Sequence, residues 1–332
     1  MILEIPLGIM YYLDCCVETV SFLGYELTKA IHNIVGVHMI TVFTPTYNRV
    51  HTIVRTFESL QAQTDKDFEW VVVDDGSSDN TLDVLTQLKE KAEFPVIFQY
   101  QKNAGKHVAI NLGVQMARGE LFFIVDSDDW LKPNAISTIK RLIAELPATQ
   151  KYAGISGVDV TPEGDLIGTS FSSEYVDCTS FERARYNING DKAEVFYTSI
   201  LRKFPFPSFE GENFLTESVV WYRIADAGYK IRWTNEPFYV CDYQNGGLSA
   251  TTGKCSRNFK GYQLTTKEML GYKELPYKAR VGQLIAYAAI ACKEKKNIKA
   301  CADEINHPYL LVLILGKIGY ATFRIKNAFR RR

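Results

Sequence analysis

Apolar positions between residues 40 and 125 follow two alternating spacings. The runs 40–43, 68–73, 96–98 and 121–125 are short, rich in β-branched and aromatic residues, and apolar nearly throughout. That is the pattern of strands buried on both faces. Between them, Val50, Ile53, Val54, Phe57 and Leu60 recur at helical spacing, as do Leu82, Leu85 and Leu88, and residues 108–117 read as a third helix. Strands and helices alternating at this length predict right-handed βαβ units carrying a parallel sheet. Past Pro133 the pattern predicts a helix to Leu146, then strands over 152–173 around a turn at Pro162, Glu163 and Gly164. An irregular stretch follows to Pro207, then a helix over 216–227 and two separate strands at 231–234 and 238–243. A loop over 244–249 leads to a region that reads as mostly helical beyond Asn258. The expected class is α/β: a Rossmann-like, mostly parallel sheet flanked by helices, with a mainly helical C-terminal region.

The polar residues fall at one place in each unit. Thr44, Pro45, Thr46, Tyr47 and Asn48 follow the first strand, and Asp74 to Asp79 the second. Asn103 to Lys106 follow the third, and Asp126, Ser127, Asp128 and Asp129 the fourth. In open parallel sheets ligands bind outside the carboxyl ends of the strands. Four polar clusters at those ends therefore predict one site built from four loops.

Composition narrows the chemistry. The chain has 332 residues with balanced formal charge, +0, so no basic footprint points to nucleic acid. The seven cysteines form no CxxC pair, which fits reduced thiols and leaves no thiolate zinc site. No GxGxxG fingerprint is present, which argues against a dehydrogenase. Residues 1–38 are apolar but interrupted by Glu4, Asp14, Glu18 and Glu26, and Met39 stands just before the first strand. The expectation is that the folded domain begins at Met39, with 1–38 an upstream extension or an over-called start. The catalytic domain is expected over 39–257, its nucleotide-binding half at 39–133 and its acceptor half at 134–257, with a helical region at 258–332. The apolar run 309–316 is too short to span a bilayer, and the basic residues Lys317, Arg324, Lys326, Arg330, Arg331 and Arg332 follow it. Such a segment suits peripheral contact with an anionic membrane face, or a packed helix with a solvated basic end.

Each cluster has a chemical and a plain reading. Asp126, Asp128 and Asp129 crowd three carboxylates at a strand end, and a divalent cation relieves both their repulsion and their desolvation. Mn²⁺ or Mg²⁺ sharing one or two such carboxylates with phosphate oxygens suits a nucleoside diphosphate. The plain reading is an acidic turn capping the next helix. At Asp74 and Asp75, Gly76 permits a tight turn and Ser78 or Asp79 can cap a helix, but two adjacent acids can also accept the imide N–H of uracil. Lys106 opposes the dipole of the helix it opens, so it reaches for base or diphosphate, or is a solvated surface lysine. Glu217 shares a helix face with Phe214, Val220, Trp221 and Ile224, where a raised pKa suits a general base. Otherwise it is a first-turn carboxylate behind an N-cap at Thr216. Asp191, Lys192 and Glu194 behind Gly190 line an acceptor cleft or form a solvated loop.

Taken together these residues resemble family 2 glycosyltransferases, inverting enzymes of the GT-A fold, over about residues 40–243. Thr44 to Arg49 look like that family's opening nucleotide-binding turn, Asp74 to Asp79 like its second, and Asn103 to Lys106 like its third. Asp126 to Asp129 are similar to its metal-binding DxD. The resemblance implies donor contacts at Thr44, Pro45, Tyr47, Asn48, Arg49, Asp74, Asp75, Lys106, Asp126 and Ser127, and metal contacts at Asp126, Asp128 and Asp129. The family commonly carries a Glu-Asp pair before the helix that bears its base, where this chain has Glu217-Ser218. Glu217 is the expected base, with Asp191 or Glu212 as its stand-in. The implied reaction is transfer from a nucleotide sugar, UDP favoured, to a glycan or lipid-linked acceptor at the inner face of a cell membrane, in the manner of bacterial surface-polysaccharide synthesis. The alternatives are a sugar-phosphate nucleotidyltransferase, which the absence of a Gly-rich basic loop after the first strand disfavours, and an inactive nucleotide-sugar-binding scaffold.

Overall fold

The computed structural model describes residues 38–242 and 253–330, with side chains to 322. Residues 1–37 of the proposed extension, the loop at 244–249 and the last two arginines lie outside the described residues. The first half follows the expected order. Strands β1 (Ile40–Thr46), β2 (Phe68–Asp74), β3 (Val96–Tyr100) and β4 (Leu121–Ile124) alternate with helices α1 (Ile53–Gln61), α2 (Thr81–Lys91) and α3 (Lys106–Met116). The four strands are parallel in the order β3-β2-β1-β4. Every residue of β1 and β2 is buried, which is why those runs carry no polar alternation.

The second half extends the same sheet. It contains β5 (Trp130–Leu131), α4 (Ala135–Ala144), β6 (Tyr152–Val160), β7 (Tyr175–Cys178), β8 (Lys192–Tyr197), α5 (Thr198–Lys203), α6 (Ser218–Asp226) and β9 (Lys230–Val240). The nine strands form one sheet in the order β3-β2-β1-β4-β8-β6-β9-β5, with β7 also on β9. Three readings of the sequence change here. The stretch expected to be irregular before Pro207 holds β8, which lies antiparallel between β4 and β6 in the middle of the sheet. Its Lys192 and Glu194 give it the look of a solvated loop, yet Ala193 and Val195 enter one face of the core and Phe196 the other. The two strands expected at 231–234 and 238–243 are one strand, β9. Its register against β6 shifts around Pro237, where a bulge tolerates the missing N–H. Of the strands expected over 152–173, β6 ends at Val160 and the chain returns with one bridge, Val160 to Leu166.

Helices cover both faces. Ile53, Phe57, Leu60, Leu85, Ile136 and Ile139 from α1, α2 and α4 pack on one face, and Ala109, Ile110, Ile200, Val219, Val220 and Ile224 from α3, α5 and α6 on the other. Beyond the sheet lie α7 (Lys254–Arg257), α8 (Phe259–Gly271), α9 (Tyr277–Lys293), α10 (Ile298–Glu304) and α11 (Tyr309–Arg330). They carry their own core around Tyr287, Ala288, Ala291, Ala302 and Val312. Glu212 fastens this region to the sheet, its two oxygens accepting from the Lys260 and Gly261 N–H groups at 2.7 and 2.8 Å in the first turn of α8. A carboxylate there satisfies orphan helix donors and complements the helix dipole. Five described cysteines are free thiols.

Phe196 is 1% exposed and its ring stacks on Trp221 at 4.3 Å. As a mid-sheet core residue, Phe196→Ala is expected to lower stability by about 3–5 kcal/mol in urea unfolding. A loss below about 1 kcal/mol would contradict the central position of β8.

Candidate active site

The first loop leaves β1 later than its sequence implies. Thr44 and Pro45 are buried within the strand, and the Thr44 hydroxyl accepts a hydrogen bond from the Trp70 indole at 2.9 Å. Both lie within β1, and the exposed loop surface begins at Tyr47. Asn48 adopts φ +53°, and its side-chain oxygen accepts from the Ser78 N–H at 2.8 Å. Asp79 accepts from the N–H groups of Val50 and Thr81, which ties the first loop to the second. Burial raises the Asp79 carboxyl, but these bonds and that from the Thr81 hydroxyl bring it below its usual range.

The second loop organises the third. Asp75 is 5% exposed, and its carboxylate accepts from Gln101 at 2.7 Å, the Ala104 N–H at 2.8 Å and the Gly105 N–H at 2.9 Å. Asp74 is fully buried, with one oxygen accepting from the Ser77 N–H and the other without a hydrogen-bond partner. Gly76 has φ +85° and Gly105 φ +98°. A Cβ at Gly105 would stand 2.0 Å from the Asn213 carbonyl oxygen, so glycine lets the third loop touch the segment leading to α6.

That contact delivers Lys106 to the centre. Its ammonium lies 2.8 Å and 2.9 Å from the two carboxylate oxygens of Asp126 and 3.0 Å from Glu217. Burial disfavours the Lys106 charge, but the two carboxylates more than offset this and raise its pKa. The Glu217 result corrects the raised value expected on an apolar face. Glu217 is the N-cap residue of α6 and about a third exposed. Burial raises its pKa, yet the Lys106 ammonium outweighs burial and lowers it overall, so the group is a ready carboxylate.

The acidic cluster after β4 is splayed. Asp126 turns to Lys106, while Asp128 faces Arg49 at 3.5 Å. Burial first, then repulsion from Asp126, raises the Asp128 pKa. Ser127 and Asp129 are buried. Asp129 accepts from the Tyr239 hydroxyl at 2.7 Å and the Asp242 N–H at 2.9 Å, so it braces the loop against β9. Burial, followed by the Asp126 charge, pushes its carboxyl up to about 7. Asp191 lies exposed ahead of β8. Two supporting residues carry no sequence signal. Arg55 stacks 4.1 Å from the Trp130 ring centroid and reaches the Asp128 carbonyl oxygen and Asp242. Tyr239 accepts from the Asp126 N–H and donates to Asp129.

Among the described residues no three His, Cys, Asp or Glu side chains converge as a closed metal cage. The donor set still fits a hard cation shared with phosphate, because Asp128 is a partly buried carboxylate strained by its Asp126 neighbour.

The loops at the carboxyl edge of β1 to β4 define a ligand-binding α/β sheet, and comparison with known proteins names its family. Residues 41–203 match Glycosyl transferase family 2. An uncharacterized glycosyltransferase of Nostoc sp. is 41% identical over 100 residues, 30% of this chain and 31% of that protein. GalNAc(5)-diNAcBac-PP-undecaprenol beta-1,3-glucosyltransferase of Campylobacter jejuni is 26% identical over 299 residues, 84% of this chain and 93% of that protein. Chondroitin synthase of Escherichia coli is 35% identical over 138 residues, 41% of this chain and 20% of that protein. The match thus spans about a third or less of the Nostoc and Escherichia relatives. S. aureus TarS 1-349, solved in complex with UDP-GlcNAc, shares the fold at a TM-score of 0.56 and 19% identity, covering 77% of this chain and 73% of TarS 1-349. Residues 41–203 thus form a family 2 glycosyltransferase domain, and the fold is of the GT-A type.

Asp75→Asn would turn an amide N–H₂ toward N–H donors now facing a carboxylate. The expected cost is about 1–3 kcal/mol of stability together with weaker nucleotide binding, read by thermal melts with and without UDP. An unchanged melting temperature would contradict the role of Asp75 as organiser of the third loop.

Proposed function

We propose that the protein transfers a sugar, with inversion, from a UDP-sugar to a hydroxyl of a glycan or lipid-linked acceptor, using Mn²⁺ or Mg²⁺. The observation that carries this reading is the shared ammonium of Lys106. It holds Asp126, at the donor edge, and Glu217, a carboxylate free of its proton, on either side of one cation. Asp128, with Asp126, would hold the metal, and Tyr47, Asn48, Arg49 and Asp75 would line the nucleotide. When bound, the cation neutralises charge developing on the leaving diphosphate. Glu217 accepts the proton of the acceptor hydroxyl as its oxygen attacks the anomeric carbon from the face opposite the leaving group. Lys106 keeps Glu217 ionised while the cleft is desolvated. The Campylobacter relative is named for a glucosyl transfer to an undecaprenol-linked glycan, and TarS was solved with UDP-GlcNAc, which supports this donor and acceptor class.

Asp128→Ala is expected to lower both sugar transfer and donor hydrolysis by about 100-fold or more. Glu217→Gln should reduce transfer about 10²–10⁴-fold while UDP affinity stays within about twofold. Turnover unaffected in Glu217→Gln would remove it from the role. Release of pyrophosphate from a nucleoside triphosphate would favour a nucleotidyltransferase, and donor binding without turnover across an acceptor panel would favour an inactive scaffold.

The same reading gives the C-terminal helix a task. Among the described residues no helix is long and apolar enough to cross a membrane. On α11, Leu310, Ile314 and Ile318 recur every four residues and are 66%, 55% and 59% exposed. The sequence from 309 to 332 contains six basic residues and no acid. An apolar stripe on a helix of basic sequence fits the surface of an anionic bilayer, where a lipid-linked acceptor would be presented. Replacing Leu310, Ile314 and Ile318 together by serine is expected to weaken sedimentation with phosphatidylglycerol vesicles by about tenfold or more, the effect of about 1.4 kcal/mol. Equal binding would contradict a membrane-facing α11.

A further inference from the structure

Glu217 stands at the end of a stretch that has no hydrogen-bond ladder of its own. Between α5 and α6, residues 204–217 form neither helix nor strand. Backbone N–H groups in such a stretch need partners from elsewhere. Those of Asn213 and Phe214 find theirs in a single side chain, Asn258. Its Oδ1 accepts from them at 2.8 and 3.0 Å, and its Nδ2 donates to the Lys254 carbonyl oxygen at 2.9 Å. Both lone pairs of the amide oxygen are engaged, and the residue is 4% exposed. Asn258 sits between α7 and α8, where the helical C-terminal region begins.

The tie is reciprocal. Glu212 caps the Lys260 and Gly261 N–H groups of α8, so each segment satisfies donors that the other leaves unpaired. The fit is close: a Cβ on Gly261 would stand 3.1 Å from the Leu215 side chain and 3.4 Å from the Phe214 carbonyl oxygen. The Lys254 ammonium lies 4.9 Å from the Phe214 ring centroid. On its other side the same stretch meets the donor loops. The Asn213 carbonyl oxygen is the atom that leaves no room for a Cβ at Gly105. The next residue is Lys106, whose ammonium lies 3.0 Å from Glu217. Glu217 is therefore held from one side by α6, through the buried Val219 and Val220, and from the other through residues 212–214.

We propose that Asn258 is a positioning residue for Glu217: with Glu212 it locks α8 to residues 212–214 and so sets where the base stands against Lys106. This deepens the transferase reading and rests on it, because Glu217 is the base of that reading. Asn258 acts through Glu217 and needs no contact with a reacting atom. Displacement of a reacting group by about 1 Å can cost about 100-fold in rate, so a hydrogen-bonded lock four residues before the base has leverage on turnover. The first turn of α8 thereby belongs to the catalytic apparatus.

The test is steady-state transfer with Mn²⁺, using UDP-glucose or UDP-N-acetylglucosamine as donor against the acceptor panel, well below every melting midpoint. UDP binding is titrated alongside by calorimetry. Asn258→Ala should melt several degrees lower, since two N–H groups lose their acceptor. It should lose about tenfold or more in kcat, while UDP affinity and the donor KM stay within about twofold. Asn258→Asp keeps an accepting oxygen for both N–H groups and should return kcat to within about threefold of wild type. Added to Glu217→Gln, Asn258→Ala should cost less than about a further twofold, because the group it acts through is already gone. A variant that melts lower yet keeps its full kcat would overturn the proposal. So would a parallel loss of UDP affinity, or an undiminished loss in the Glu217→Gln background. If Asn258→Ala does not fold, Glu212→Gln breaks the other half of the lock, and an unchanged kcat there overturns the proposal. Wild-type turnover in Glu217→Gln would remove the base and this inference together while leaving transfer itself standing. No turnover of any pair by the wild type would remove the transferase reading as well.

Discussion

One half-buried ammonium ties two loops of the parallel sheet to the start of α6. Lys106 comes from the third loop of the parallel sheet, Asp126 from the fourth, and Glu217 from the start of α6 on the acceptor side. Together they are neutral to within one charge, and the arrangement requires the loops to close on one another. Asp75 gathers the third loop by its backbone N–H groups, and Gly105 lets that loop press on Asn213. The third and fourth loops and the start of α6 are thus positioned by the same interaction.

The sheet's edge accounts for where chemistry can sit. β1 to β4 end there in the donor loops, and β8 begins there because it runs the opposite way. Burial along this edge raises the carboxyls of Asp128, Asp129, Asp159 and Glu194. Asp129 repays its burial by bracing the loop through Tyr239 and Asp242.

The legibility of the chain divides at Pro133. Before it, each strand is a nearly continuous apolar run and α1 and α2 have clean stripes, so the alternation of β1 to β4 with α1 to α3 is readable from the sequence. Their loops are readable too, because acids and glycines directly after buried strands have few structural uses. After it, the signals conflict. Lys192 and Glu194 disguise β8 as a loop, and Pro237 divides β9 in the sequence but not in space. Thr44 and Pro45 read as loop because they are polar or strand-breaking by type, whereas the Trp70 indole gives Thr44 a buried partner. The direction of the Glu217 pKa was illegible for a different reason: its helical face is apolar, but its neighbour in space, Lys106, lies 111 positions away in the chain. Arg55 and Tyr239 act through contacts that no spacing announces.

The central claim is that a divalent cation and a nucleoside diphosphate meet at Asp128, beside the Lys106 bridge. Electron–nuclear double resonance on Mn²⁺ added with UDP measures that meeting directly. The account predicts phosphorus hyperfine coupling to the protein-bound Mn²⁺, present in the wild type and absent in Asp128→Ala. Mn²⁺ that binds with no phosphorus coupling, or coupling that survives the loss of Asp128, would contradict it.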